Sequence, residues 1–177
     1  MTADDDLLKR SRHLLDTARY VHLATASEQG EPWAATLEYA WFADPLRLVF
    51  GSATDSRHSH DVWARPQVSG SLFRTDGTNT TDTTVDFTSI DGAQFTGRCT
   101  EIPPDRLATY YEDFYATVFP DPRRRAEWQL PSSLLQHPAP HRLYLVEIDR
   151  WWLIDTRTWA EDRIDRRIEV PVGHLER

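Results

Sequence analysis

The stretch YVHLATASEQGEPWAATLEYAWFADPLRLVFGSATDSRHSHDVWARPQVSGSLF, residues 20–73, decides the fold of this chain. Its first part contains three apolar segments with alternating side chains, joined by the short turns EQGEP and ADPLR. A period of two that is interrupted by glycine and proline turns is typical of antiparallel strands. Residues 20–53 therefore predict a three-stranded antiparallel meander, with residues 32–42 as one continuous strand.

Working outward from this stretch, the sequence predicts three more strands. They cover residues 67–75, 85–102 and 141–157, and the second contains Gly92 and Gly97 as expected bulges or points of close approach. The tail 157–177 predicts a weaker seventh strand within a C-terminal extension.

Helical patterns lie before, between and after these strands. Apolar residues at helical spacing predict an amphipathic helix over residues 4–18, a short helix over 55–65 that ends before Pro66, and a helix over 104–118. The Pro-, Arg- and Ser-rich residues 120–140 predict a segment outside the sheet with one short helix. We therefore predict one α+β domain built on a small six-stranded antiparallel barrel over 20–156, with an excursion over 103–140 and peripheral helices.

The composition limits the classes of partner. The chain has 177 residues, a formal net charge of −8 and a single cysteine, Cys99. A net negative charge gives no electrostatic attraction to nucleic acid or anionic lipid, and one cysteine cannot form an internal disulfide. The acidic first residues are unlike a signal peptide, and no apolar run reaches membrane-spanning length. These features predict a cytoplasmic protein.

The segment GSATDSRHSHDVWARP, residues 51–66, has the polar density of a chemical site. One interpretation is a metal site, but His58 and His60 point to nearly opposite sides of a helix. His58 and Asp61 do share a face, yet two ligands do not complete a metal site. The other interpretation is an anion site. A strand that ends in FGSA, then Thr54, Asp55 and Ser56, and then a helix bring hydroxyls, helix amides and the guanidinium of Arg57 together.

The order of short motifs resembles the pyridoxamine-phosphate-oxidase-like split-barrel superfamily over residues 15–156. Later segments, among them GAQFTGR at 92–98, are most similar to a small uncharacterised branch of it. The motifs that carry the resemblance are Leu23-Ala24-Thr25, Gly30-Glu31-Pro32, Trp41-Phe42, Phe50-Gly51-Ser52, Ser56-Arg57-His58 and Arg65-Pro66-Gln67-Val68.

The resemblance implies a Greek-key split barrel that forms a homodimer and binds FMN at the subunit interface. It places the phosphate at the Ser56-Arg57-His58 loop beside Ser52, the ring along strands two and three, and an amide partner, Gln94, in the same or the other subunit. The cofactor-binding residues that it implies are Thr36, Glu38, Trp41, Gly51, Ser52, Ser56, Arg57, His58 and Gln94.

The sequence departs from the family pattern at its cations. The loop lysine of the family is His58 here, and a second phosphate-binding lysine falls near Trp41. These changes argue against true pyridoxamine phosphate oxidase activity. Three functions stay open: an FMN-dependent oxidoreductase, a deazaflavin- or haem-binding protein, and a non-enzymatic dimeric binding module.

Overall fold

The structure, a computed structural model, describes residues 3–74, 91–155 and 158–171, together with residues 173 and 175. Its helices and strands form an α+β protein. In chain order the elements are α1 (Ala3–Thr17), β1 (Tyr20–Ala26), β2 (Pro32–Glu38), β3 (Ala40–Phe42), β4 (Arg47–Ala53), α2 (Arg57–Ala64), β5 (Gln67–Arg74), β6 (Asp91–Glu101), α3 (Leu107–Val118), α4 (Pro122–Trp128), a 3-10 turn (Ser132–Leu135), β7 (His141–Ile154), α5 (Trp159–Asp162) and β8 (Arg167–Val170).

The eight strands of the described residues form one antiparallel sheet that curls into a split barrel. Its order is β2-β1-β5-β6-β7-β4-β3, and β8 pairs with the end of β7. Strand β7 is long enough for its first half to pair with β4 while its second half pairs with β8. The α+β split-barrel prediction is confirmed, and the six predicted strand segments are recognisable in this sheet.

The strand predicted over residues 32–42 is divided in two. Its first half, β2, pairs with β1, whereas β3 pairs with β4 on the other side of the barrel. The break falls at Tyr39, which is buried and donates a hydrogen bond from its hydroxyl to the backbone oxygen of Leu15 at 2.9 Å. The chain thereby moves from one edge of the sheet to the other at this residue.

Two further sequence predictions concern the middle of the sheet. The β6–β7 register shifts between Thr96 and Gly97, and a Cβ atom at Gly97 would lie 2.4 Å from the backbone oxygen of Glu147. Gly97 is therefore required by a close backbone approach, as predicted. The predicted strand 85–102 is observed from Asp91, and its first residues lie outside the described part of the chain.

Two hydrophobic clusters hold the helices to the sheet. The first packs α1 against the barrel through Leu14 and Leu15, and the indole of the buried Trp151 donates a hydrogen bond to Ser11 at 3.1 Å. The second packs α3 on the outside of β4 and β7 through residues that include Tyr110 and Phe114. Residues 120–140 contain α4 and the 3-10 turn, where the sequence predicted a segment outside the sheet with one short helix.

Candidate functional site

A cluster of hydroxyls around one imidazole lies where β4 leads into α2. We call Ser52, Ser56, His58 and Ser59 the polar cluster. Nε2 of His58 lies 2.8 Å from Oγ of Ser52 and 3.1 Å from Oγ of Ser56. Oγ of Ser56 also lies 2.8 Å from Oγ of Ser59 and accepts a hydrogen bond from its backbone amide at 3.3 Å. Ser56 is thus the N-cap of α2, as its residue type favours.

The imidazole of His58 is buried and its charge is disfavoured. Desolvation by burial lowers the pKa of His58 from its ordinary value, and the nearby carboxylate of Asp61 opposes this shift. Asp61 is itself buried and accepts a hydrogen bond from Oγ1 of Thr25 at 2.7 Å. In a neutral imidazole an unprotonated Nε2 can accept a hydrogen bond from a serine hydroxyl, whereas in the charged form Nε2 can only donate one.

Arg57 is the cation nearest in sequence to the polar cluster. Its Nη2 atom lies 3.2 Å from Oε2 of Glu31, and its guanidinium sits 5.0 Å from the ring centroid of Trp33. The Arg57 side chain is 41% exposed and that of Glu31 is 72% exposed, so this ion pair is solvated and weak. Arg57 can therefore exchange Glu31 for another anion at small cost.

A groove of about 380 Å³ adjoins the polar cluster and separates β2 from β4. Thr36 and Glu38 of β2 line one side, and Gly51 and Ser52 of β4 line the other. Its volume is within the range of small-molecule sites. The remaining residues that line it are apolar or aromatic for the most part: Tyr20, Leu37, Phe114, Tyr115, Val118, Phe119, Trp128, Leu130, Leu135, His141 and Arg142.

The structure brings seven of the nine residues predicted for the cofactor to this region. The groove contains Thr36, Glu38, Gly51 and Ser52, and the adjoining loop and helix contain Ser56, Arg57 and His58. Within the groove, Oε1 of Glu38 accepts a hydrogen bond from Nη2 of Arg19 at 2.8 Å.

The other two predicted residues lie elsewhere. Trp41 is buried in the hydrophobic core, and its indole N–H donates a hydrogen bond to Oδ1 of Asp16 at 2.8 Å. Gln94 lies on an exposed face of β6, where its Oε1 accepts a hydrogen bond from Nε of Arg167 at 3.0 Å. A contact between Gln94 and a cofactor of a second subunit stays a prediction.

The sequence reasoning missed the aromatic side of the groove. The aromatic residues of α3 were not among the predicted cofactor-binding residues, and Tyr110 packs in the core. Phe114 and Tyr115, although buried in the same cluster, also line the groove. Helical spacing of aromatic residues indicates a buried face but does not distinguish a face that packs from one that also borders a cavity.

The two histidines of the H-x-H run have different surroundings. His58 belongs to the polar cluster, while His60 lines a separate pocket beside the exposed Trp63. The described part of the chain contains no group of three or more histidine, cysteine or acidic side chains arranged to hold a metal ion.

Comparisons with known proteins agree with this architecture. A family model described as "Pyridoxamine 5'-phosphate oxidase" matches residues 7–155. A match of this length, together with the split-barrel fold, shows that the chain belongs to the pyridoxamine 5'-phosphate oxidase family. No curated protein matches the chain.

Solved structures with a similar fold carry names that refer to different cofactors. A heme binding protein from Mycobacterium smegmatis has a TM-score of 0.69 at 12% identity, covering 99% of this chain and 60% of its own. A FAD-binding protein from Mesorhizobium loti has a TM-score of 0.58 at 19% identity, and the match covers 86% of this chain and 94% of that protein. An F420 reductase has a TM-score of 0.51 at 20% identity, and the match covers 79% of this chain and 94% of that protein. The chain thus spans only part of the first of these proteins.

At 12% to 20% identity, these likenesses show the fold. None of the described helices is long and apolar enough to cross a membrane.

Proposed function

We propose that this chain binds FMN and acts as a flavin-dependent oxidoreductase. The observation that carries the proposal is the position of Ser52. Its side chain lines the groove between β2 and β4 and also lies within hydrogen-bond distance of His58 in the polar cluster. A ligand with a planar ring in the groove can therefore reach the cluster with an anionic tail.

The donor set of the cluster fits a phosphate group. Ser52 and Ser56 provide hydroxyls, and the first turn of the eight-residue helix α2 provides amides that lack intrahelical acceptors. Arg57 provides a guanidinium, which can hold phosphate oxygens through two hydrogen bonds. In this proposal these residues hold the phosphate of FMN, and His58 positions the two serine hydroxyls.

The groove fits the ring part of the same cofactor. When bound, FMN supplies the hydride and electron transfer, so the protein has to orient the ring and restrict access of water. Thr36 and Glu38 approach the groove from β2, and the aromatic residues Phe114 and Tyr115 of α3 also line it. The chain lacks the family's loop lysine, so we do not expect it to oxidise pyridoxamine phosphate.

A second candidate is haem binding, favoured by a single observation. His141, at the start of β7, lines the same groove and has an exposed side chain that can serve as an axial ligand. A deazaflavin with acidic groups would need a free cation in the groove. Arg142 lines the groove, but it is buried and its Nε already donates a 2.6 Å hydrogen bond to Oε1 of Glu101. The groove therefore favours a deazaflavin less than it favours haem.

An absorption spectrum tests the proposal and separates the candidates. We expect the protein as purified, or after addition of FMN and gel filtration, to carry the visible bands of an oxidised flavin. A Soret band would favour haem. Colourless protein that retains no added FMN would contradict the proposal and favour a binding module without a cofactor.

A further inference from the structure

We propose that the outer end of the groove is a subsite for a planar aromatic ring that bears an anionic group, stacked on Trp128 and paired with Arg124. Only the identification of this ligand as the substrate rests on the proposed function. The subsite itself depends on residues of the 103–140 excursion and not on the polar cluster.

The first observation is a stack of three aromatic rings that ends in the open. The rings of Tyr115 and Phe119 lie 6.3 Å apart at 19°, and those of Phe119 and Trp128 lie 6.4 Å apart at 13°. Trp128 ends the stack, lines the groove and is 61% exposed. One face of its indole is covered by Phe119, so the exposed remainder can accept a further ring in offset stacking.

The second observation is that the backbone around Trp128 is fixed on both sides. Tyr111 donates a hydrogen bond to the backbone oxygen of Leu130 at 2.8 Å, and the Leu130 amide donates to the Tyr115 hydroxyl at 3.2 Å. Nε of Arg125 donates to the backbone oxygen of Phe119 at 3.0 Å. A ring that projects from a fixed backbone and already stacks on Phe119 loses less entropy when a ligand stacks on it than a ring on a free chain would.

The third observation concerns charge. Arg124 lies one helical turn before Trp128, on the same face of α4, and lines a pocket that shares Phe119 with the groove. Among the described residues it forms no hydrogen bond or ion pair.

Three acidic residues line the pocket of Arg124, and each already accepts a hydrogen bond from another group. Asp121 accepts from the Arg123 amide at 2.9 Å, Asp16 accepts from the Trp41 indole, and Glu38 accepts from Arg19. The guanidinium is therefore available to an anion from solution, next to a ring that is available for stacking. Together they select a flat, apolar and negatively charged ligand.

Equilibrium dialysis with 2-naphthoate tests this subsite in the full-length protein, with and without added FMN. We expect saturable binding, and a loss of about 3- to 10-fold in affinity for Trp128→Ala, the range of one aromatic pair. We expect a similar loss in the affinity of Arg124→Gln for 2-naphthoate. The parent should likewise bind the neutral probe 2-naphthamide more weakly than 2-naphthoate, by a similar factor. Trp128→Phe should retain most of the binding.

Two variants provide matched controls. Trp63→Ala removes another exposed tryptophan on α2, and Arg123→Gln removes the neighbouring arginine of α4, so both should bind 2-naphthoate as the parent does. The inference is overturned if binding is not saturable, if Trp128→Ala or Arg124→Gln leaves affinity unchanged, or if the controls lose as much. If the protein binds 2-naphthoate but not FMN, the result supports the subsite and contradicts only the proposed function.

Discussion

Nε2 of His58 lies 2.8 Å from Oγ of Ser52, so an imidazole that starts a helix is joined to a hydroxyl that lines the groove. Burial keeps the pKa of His58 below its ordinary value of 6.5. Protonation of His58 would therefore change its hydrogen bonds to Ser52 and Ser56 in the candidate phosphate site.

This coupling predicts a pH dependence of folding stability. Because the pKa of His58 is lower in the folded than in the unfolded state, the unfolded chain binds more protons as the pH falls below about 6.5. The contribution of His58 is present above this pH and is lost progressively below it. We expect the free energy of unfolding of the cofactor-free parent to fall more steeply below about pH 6.5 than that of His58→Asn. The free energy of unfolding is measured by urea titration at each pH. If it changes with pH equally in both proteins below about pH 6.5, protonation of His58 is not coupled to folding.

Glu31 competes with the proposed phosphate for Arg57. Their ion pair is exposed on both sides, and such pairs contribute at most about 1 kcal/mol. We expect Glu31→Gln to raise the affinity for FMN by up to about fivefold, measured by flavin fluorescence, because the guanidinium is released. Glu28→Gln, in the same turn, should have no effect. A weaker affinity in Glu31→Gln would mean that Glu31 positions Arg57 rather than competing for it.

The ion pair between Arg10 and Asp91 joins α1 to the sheet. Arg10 donates to both carboxylate oxygens at 3.1 and 2.9 Å and to the backbone oxygen of Ile154 at 2.8 Å, with both side chains mostly buried. We expect Arg10→Ala to lower the free energy of unfolding by about 2–3 kcal/mol, since it removes charged hydrogen bonds and leaves a carboxylate desolvated.

Arg150→Ala is the matched control for this prediction. Arg150 binds Glu169 through the same two-bond geometry, but both side chains are about half exposed. We expect a much smaller loss than for Arg10→Ala, because water replaces the pair at an exposed site. Similar losses in both variants, measured by chemical denaturation, would show that burial does not decide the strength of these pairs.

A homodimer is expected from the exposed edge of the sheet. Strand β2 ends the strand order, and its Pro32, Trp33, Ala34 and Thr36 are exposed, with Trp33 at 43%. An exposed edge strand with a large apolar side chain favours association. Sedimentation equilibrium at micromolar concentration should give twice the mass of the chain, and Trp33→Glu should shift the equilibrium towards monomer. A parent that sediments as a monomer would contradict the predicted interface.

The parts of the structure that depend on local pattern could be predicted from the sequence. Alternation predicted the strands, Pro66 the end of α2, and the hydroxyl-rich turn before Arg57 the polar cluster. The break at Tyr39 could not be predicted, because it depends on a hydrogen bond to Leu15 across the core. The placement of Trp41 follows from that break, which moves β3 to the opposite edge of the sheet.

The contacts that complete the site depend on segments that are distant in sequence. Arg57 pairs with Glu31 of the preceding hairpin, and the groove is closed by residues of the 103–140 excursion. Composition indicated that this excursion lies outside the sheet, yet only its packing on β4 and β7 shows that it borders the groove. Such contacts carry no periodic signal in the sequence.

Titration of FMN and riboflavin into the parent and Arg57→Ala tests the central claim most directly. If the loop holds the phosphate, Arg57→Ala removes a charge-assisted contact of about 2–3 kcal/mol, a loss of about 30- to 150-fold in FMN affinity. Riboflavin lacks the phosphate, so its affinity should be the same for both proteins. Equal affinity of the parent and Arg57→Ala for FMN would contradict the assignment of the phosphate to this loop.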